Sequence, residues 1–123
     1  MNPAVRFELP ANDMKRAESF YERVFGWDID SSYRSFYWAL TTKSDDKRQS
    51  LNPGEINGAI QFKDKTITST RIDIRVPDLD DALKKVLAEG GKVFIPKKEI
   101  PGYYYAVIND TEGNEIFLSE KIK

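Results

Sequence analysis

The 123-residue chain has no cysteine and no histidine. Without cysteine there are no disulfides, no thiolate metal centres and no cysteine nucleophile, and the composition fits a reducing compartment. Without histidine the chain lacks the commonest transition-metal ligand and the commonest general base near neutral pH. It could offer a metal ion only oxygen ligands. An excess of either charge is missing too: 19 Lys and Arg oppose 20 Asp and Glu, a net charge of -1. No overall field therefore draws the chain to nucleic acid or to an anionic membrane, and neither is expected as a partner. No run approaches the roughly 18–20 apolar residues of a membrane span. The opening MNPAVRFELP does not have the charged-then-apolar layout of a secretory signal, so a cytoplasmic protein is expected. Glycine-rich phosphate loops of the dinucleotide-binding and P-loop types are absent as well.

What is present suffices for a packed core, since 40% of the residues are hydrophobic and 12% aromatic. Val5-Arg6-Phe7-Glu8-Leu9 alternates apolar and charged residues with the period of a half-buried strand. Asp13 is placed to cap a helix whose Met14, Ala17, Phe20, Tyr21, Val24 and Phe25 recur at helical spacing up to Gly26. Strands are expected over 27–30, 36–41 and 56–62, with a polar loop over 44–49 and a turn at Asn52-Pro53-Gly54. The pattern then restarts. Thr70 to Val76 alternates again, Asp78 caps a helix carrying Leu79, Ala82, Leu83, Val86 and Leu87, and Gly90-Gly91 closes it. Three further strands are expected over 93–95, 103–109 and 114–119, with Pro96 and Pro101-Gly102 marking the gap between the first two.

Asp78 follows Asp13 by 65 residues, and the same offset pairs Arg6 with Arg71, Glu8 with Asp73, Ala17 with Ala82 and Gly26 with Gly91. The chain therefore reads as an α+β protein of two tandem βαβββ modules, over 4–62 and 68–120, joined by a connector at 63–67 and making one domain.

A duplicated βαβββ module, with Phe7-Glu8-Leu9-Pro10-Ala11-Asn12-Asp13, the helix that runs into Gly26-Trp27, Val76-Pro77-Asp78-Leu79, Gly90-Gly91-Lys92-Val93 and Asp110-Thr111-Glu112-Gly113-Asn114-Glu115-Ile116, resembles the vicinal-oxygen-chelate superfamily of glyoxalase, bleomycin-resistance and extradiol-dioxygenase proteins. That resemblance implies curved sheets around a cup. It also implies metal ligands on the first and last strands of each module, and frequent homodimers. The first-strand ligand, usually His, lies seven residues before the capping Asp, which here is Arg6 and, in the repeat, Arg71. The last-strand ligand of the second module falls on Phe117, and that of the first lies among Gly58, Ala59, Ile60 and Gln61. Guanidinium groups offer no lone pair. The resemblance therefore implies a member without a metal or other cofactor, and disfavours the family's metal-dependent lyase or dioxygenase chemistry.

Alternation puts Arg6 and Glu8 on one face of the first strand and Arg71, Asp73 and Arg75 on one face of the fifth, opposite apolar faces expected under the helices. By the resemblance these charges line the cup. They could form an ion-pair network filling the vacated site, a polar floor gripping an acidic ligand, or a base with an Arg beside it. Tyr33, Phe36, Tyr37 and Trp38 correspond to the Tyr103–Tyr105 stretch. Aligning Ala39 with Ala106 matches Trp38 to Tyr105, two rings that could stack on a flat ligand or pack as core. The expected ligand-binding set is Arg6, Glu8, Trp38, Arg71, Asp73, Tyr105 and Phe117, serving a small acidic or aromatic molecule. A glyoxalase-like enzyme and a non-catalytic partner-binding domain are the alternatives.

Overall fold

The computed structural model describes residues 1–123. Eight strands and two helices follow in the order β1 (Ala4–Ala11), α1 (Met14–Phe25), β2 (Asp28–Asp30), β3 (Phe36–Leu40), β4 (Gly58–Phe62), β5 (Arg71–Arg75), α2 (Leu79–Ala88), β6 (Lys92–Ile100), β7 (Tyr103–Asn109) and β8 (Glu115–Lys121). The fold is α+β, and the element order βαβββ occurs twice. No helix is long and apolar enough to cross a membrane. Two compact units divide the chain: Arg6–Thr70, and Met1–Val5 with Arg71–Lys123.

In the unit Arg6–Thr70 the strands lie in the order β2-β3-β4-β1. β4 runs antiparallel to β3 and parallel to β1. α1 starts where the side chain of Asp13 accepts the Arg16 N–H at 3.0 Å, a cap worth about 1 kcal/mol. It ends at Gly26, whose φ of 70° is open to glycine at little cost. Met14, Ala17 and Tyr21 of the helix pack with Phe7, Leu9 and Ala11 around buried Ile29, Ala39 and Ile60. The apolar face of β1 thus lies under its helix, as alternation predicts.

The other unit repeats the pattern in the order β6-β7-β8-β5, with β8 parallel to β5. Asp78 caps α2 by accepting the Asp81 N–H at 3.0 Å. Val76, Leu79, Ala106, Ile108 and Leu118 form its core, with Ile74, Ala82, Leu83 and Val86 against it. Ile72, which shares the parity of Ile74, is 40% exposed and lies outside this core.

Several boundaries differ from the sequence reading. β6 does not stop at Ile95. It continues through Pro96 to Ile100, and its register with β7 shifts between Ile95 and Lys98. β6 is an outer strand of its unit, and an outer strand with an irregular register tolerates a residue with no N–H to donate. β4 begins at Gly58 rather than at residue 56, β2 begins at Asp28, and β8 extends to Lys121. The left-handed glycine after α2 is Gly90, φ 94°, so it is Gly90 and not Gly91 that matches Gly26 in conformation.

Gly58 fixes the approach of β4 to β1, where it pairs with Phe7. A Cβ there would stand 2.4 Å from the Phe7 carbonyl oxygen and 2.5 Å from its ring. A backbone oxygen cannot swing aside, so Gly58→Ala should cost about 1–3 kcal/mol. Urea unfolding should show a lowered midpoint at unchanged m-value; an unchanged midpoint would mean that the two strands part freely.

Candidate functional site

Each sheet has a second face, turned away from the helix packed on the first. In the unit Arg6–Thr70 strand pairing sets a row across this face, Glu8–Ala59–Trp38–Asp30. Glu8 is 1% exposed. Its carboxylate accepts a hydrogen bond from Gln61 Nε2 at 2.8 Å and faces the Arg6 guanidinium at 3.6 Å. At the other end of the row, Arg48 Nε donates to Asp30 Oδ2 at 3.2 Å, and Nη2 donates to the same oxygen. Both guanidiniums lean on the indole between them: Arg6 Cζ is 5.2 Å and Arg48 Cζ 5.3 Å from the Trp38 ring centre. Phe36 meets Trp38 edge-on at 5.2 Å and stacks on Tyr33 at 5.3 Å. Trp38 Nε1 is shielded from solvent and has no hydrogen-bond acceptor.

Arg48 comes from the loop over residues 43–57, where its φ is 61°, the one positive value outside glycine. That conformation costs of order 1–3 kcal/mol, and the loop is built to hold it. Arg48 N donates to the Asp45 carbonyl at 3.1 Å. The Asp45 side chain accepts the N–H groups of Lys47 and Gln49. Buried Asn57 accepts from Thr41 N and donates both to Ser44 Oγ and to the Arg48 carbonyl.

The corresponding face of the other unit carries the row Asp73–Phe117–Val107–Ile95. Arg71 is 5% exposed and is ion-paired with buried Glu115 at 3.0 Å. Its guanidinium also lies 5.5 Å from the Phe117 ring, which stacks on Tyr105 at 5.0 Å and an interplanar angle of 2°. Asp73 accepts the Ser119 hydroxyl at 2.6 Å, and that oxygen accepts Arg75 Nε at 2.8 Å.

A glyoxalase-like domain model matches residues 5–119. The chain belongs to the glyoxalase-like domain family. It is a member of the vicinal-oxygen-chelate superfamily. A glyoxylase-like domain-containing protein of Didymella fabae is 30% identical over 121 residues, with 87% of this chain and 84% of the relative covered. Among solved structures, a glyoxalase/bleomycin resistance protein/dioxygenase superfamily member from Vibrio splendidus matches with a TM-score of 0.63 at 13% identity, over 99% of this chain and 100% of that one. A Streptomyces coelicolor methylmalonyl-CoA epimerase variant bound to 2-nitronate-propionyl-CoA matches with a TM-score of 0.66 at 12% identity, over 98% and 95%. At such identities the two structures speak to the fold alone.

The superfamily's metal can now be tested against the residues at its ligand positions. Glu8 pairs with Ala59 as Asp73 pairs with Phe117, so Ala59 is the register counterpart of Phe117. The four positions then carry Arg6, Ala59, Arg71 and Phe117, which among them offer no lone pair to a cation. No group of three or more acidic side chains that could hold a metal ion occurs. By that scheme the residues do not fit a divalent ion.

The same register corrects one alignment. Phe36 pairs with Gln61 as Tyr105 pairs with Ser119, and Trp38 pairs with Ala59 as Val107 pairs with Phe117. Trp38 therefore corresponds to Val107, and Tyr105 to Phe36. Matching Ala39 to Ala106 by residue type slipped the strands by two, which preserves the face and hides the error. Within its own unit Arg6 faces Glu8, and Arg71 pairs with Glu115, which the sequence reading passed over. Glu115 and Ser119 flank Phe117 at period two, so alternation on β8 was the available signal for both. Arg48 had none, because a loop residue has no periodicity.

Two outcomes follow. Removing one partner of a buried ion pair is costly, so Glu115→Ala, which takes the carboxylate at 3.0 Å from Arg71, should cost about 3–5 kcal/mol; chemical denaturation of the variant checks this. Ser32 and Arg48 hydrogen bonds hold the Asp30 carboxyl at about 2, down from 3.8. Its contribution is present above the ordinary value and is lost as pH falls through about 2. Asp30→Asn should therefore flatten the pH dependence of stability between about pH 4 and 2, and an unchanged slope there would count against the pairing.

Proposed function

We propose that this glyoxalase-like chain is a metal-free binder of a small acidic or aromatic molecule, held by residues drawn from Arg6, Glu8, Trp38, Arg71, Asp73, Tyr105 and Phe117. The observation that carries this reading is the Trp38 indole with the guanidiniums of Arg6 and Arg48 both packed on it, at 5.2 and 5.3 Å, an aromatic surface beside two cations. Donor chemistry at Arg6, Ala59, Arg71 and Phe117 supports the metal-free part.

The binder is favoured over a lyase, isomerase or dioxygenase because the buried carboxylates are engaged: Glu8 by Gln61 and Arg6, Asp73 by Ser119. Modules over 4–62 and 68–120, a cytoplasmic location and a homodimer complete the proposal. The dimer is supported by α1, whose Phe20, Val24 and Phe25 are more than half exposed. A non-catalytic partner-binding domain draws on the same three residues.

Elemental analysis of the purified protein should find no stoichiometric Zn, Mn, Ni or Fe. Small aromatic acids and ketones should raise its melting temperature, and Trp38→Phe should fold normally yet lose most of that shift. A chelator-sensitive stoichiometric metal would sink the metal-free reading. Equal stabilisation of the Trp38→Phe variant would remove Trp38 from the site.

A further inference from the structure

The buried side chain that ties the loop over 43–57 to Arg48 is followed by glycine. Asn2 and Asn52 precede proline, Asn12 and Asn109 precede aspartate, and Asn114 precedes glutamate; only Asn57 precedes glycine. Asparagine is chemically labile, because the backbone nitrogen of the next residue can attack its side-chain carbonyl carbon and close a five-membered ring. Proline has no N–H to give up, and a side chain on the next residue crowds the attack. Glycine leaves it open. The Gly58 nitrogen would bond to Asn57 Cγ and lose its proton, the Cγ–Nδ2 bond would break, and Nδ2 would leave as ammonia. Water then opens the cyclic imide at one carbonyl or the other, giving an aspartyl or an isoaspartyl residue. Ring closure is internal to the chain and needs no reagent to enter, so burial alone does not forbid it.

Neither half of the pair is free to change. Asn57 Oδ1 accepts the Thr41 N–H at 2.9 Å, and Nδ2 donates to Ser44 Oγ at 2.7 Å and to the Arg48 carbonyl at 3.0 Å. An ionised aspartate would keep the acceptor and lose both donors. Gly58 is fixed by packing, since a Cβ there would stand 2.4 Å from the Phe7 carbonyl oxygen. Loop closure and strand packing thus require, independently, the two residues of a labile dipeptide. The same contacts protect it. Ring closure draws the amide toward the Gly58 nitrogen and expels Nδ2, so the bonds to Thr41, Ser44 and Arg48 must first break. Gly58 opens β4 and is paired on both sides, with Phe7 and with Ala39, which holds the backbone that carries the attacking nitrogen.

We infer that Asn57–Gly58 is a latent deamidation site, silenced by the hydrogen bonds of the Asn57 side chain, and that modification there releases the loop over 43–57. A carboxylate in this place faces the Arg48 carbonyl with no proton to offer it. An isoaspartyl link adds a main-chain carbon directly before the pairing of Gly58 with Phe7. Either product removes one of the bonds that hold Arg48 in its left-handed conformation. The site is independent of what the chain binds.

The test follows the full chain in mildly alkaline buffer, folded and in urea, by peptide mass mapping, where exchange of an amide for an acid registers as a one-dalton gain. In urea the gain should appear first at Asn57. In the folded chain it should be at least about 10-fold slower, the margin that a closed segment provides over an open one. Ser44→Ala removes an acceptor of Nδ2 and leaves the labile pair intact. It should speed the folded-state reaction by roughly 3- to 10-fold, the weight of one hydrogen bond, and leave the rate in urea unchanged. Asn57→Asp, which carries the aspartyl product, should be cut by trypsin after Lys47 and Arg48 faster than wild type under native conditions; wild-type protein aged until modified serves the same comparison if that variant folds poorly. Equal rates in the folded chain and in urea, or an earlier gain at another asparagine in urea, overturns the latent site. An unchanged folded-state rate in Ser44→Ala overturns the hydrogen bonds as its lock, and unchanged cleavage of the modified chain overturns release of the loop.

Discussion

Ionised side chains buried on the helix-free face of each sheet are the constraint that the rest of the molecule serves. Glu8, Arg71 and Asp73 are each at most 5% exposed. A charge taken that far from water costs several kcal/mol unless a partner of good geometry meets it. The partners are supplied by strand pairing. Gln61 sits next to the residue that pairs with Leu9, Glu115 lies two residues before the partner of Asp73, and Ser119 two residues after it. Parallel pairing of the first and last strand in each unit is therefore an electrostatic requirement as well as a topological habit. Moving β8 by one residue would take Glu115 and Ser119 off the face and away from Arg71 and Asp73.

Packing on the same faces shows how one module becomes two different surfaces. In the row containing Glu8 the last strand contributes Ala59 and the third strand contributes Trp38. In the row containing Asp73 the last strand contributes Phe117 and the third contributes Val107. The large ring has changed strands while the row keeps one large and one smaller residue. With Ala59 small, Arg6 reaches the indole directly. With Phe117 large, Arg71 meets that ring first, and the stack continues to Tyr105. An arginine lies against an aromatic ring in each unit, and the ring stands nearer to β2 in only one of them.

Much of this was legible in the sequence. The 65-residue offset, the caps at Asp13 and Asp78 and the alternation of Val5–Leu9 depend on local rules, and local rules survive folding. The faces of residues 36–38 and 103–105 were not legible, because strands apolar on both sides carry no alternation to read. Only the pairing of Tyr37 with Ile60 and of Ala106 with Leu118 places Tyr37 and Ala106 under the helices and turns Trp38 and Tyr105 to the other side. Pro96 misled for a related reason. It marks a break only where the strand must donate an N–H, and an outer strand with a slipped register need not. Arg48 was invisible because its position depends on Asn57, nine residues on, and on Asp30, eighteen before it.

That last dependence links stability to chemistry. A left-handed arginine survives only where its surroundings outweigh the strain, and here the surroundings are a buried asparagine and two aspartates. Had the loop needed merely to turn, glycine or asparagine at position 48 would have done so without cost. The arginine instead delivers a cation to an indole that the sheet already places beside a second guanidinium. Asp30 meets that cation through two guanidinium nitrogens, and the Tyr33 ring flanks it at 5.4 Å. The strained arginine, its carboxylate partner and the indole it leans on all occur within one short stretch of the same face.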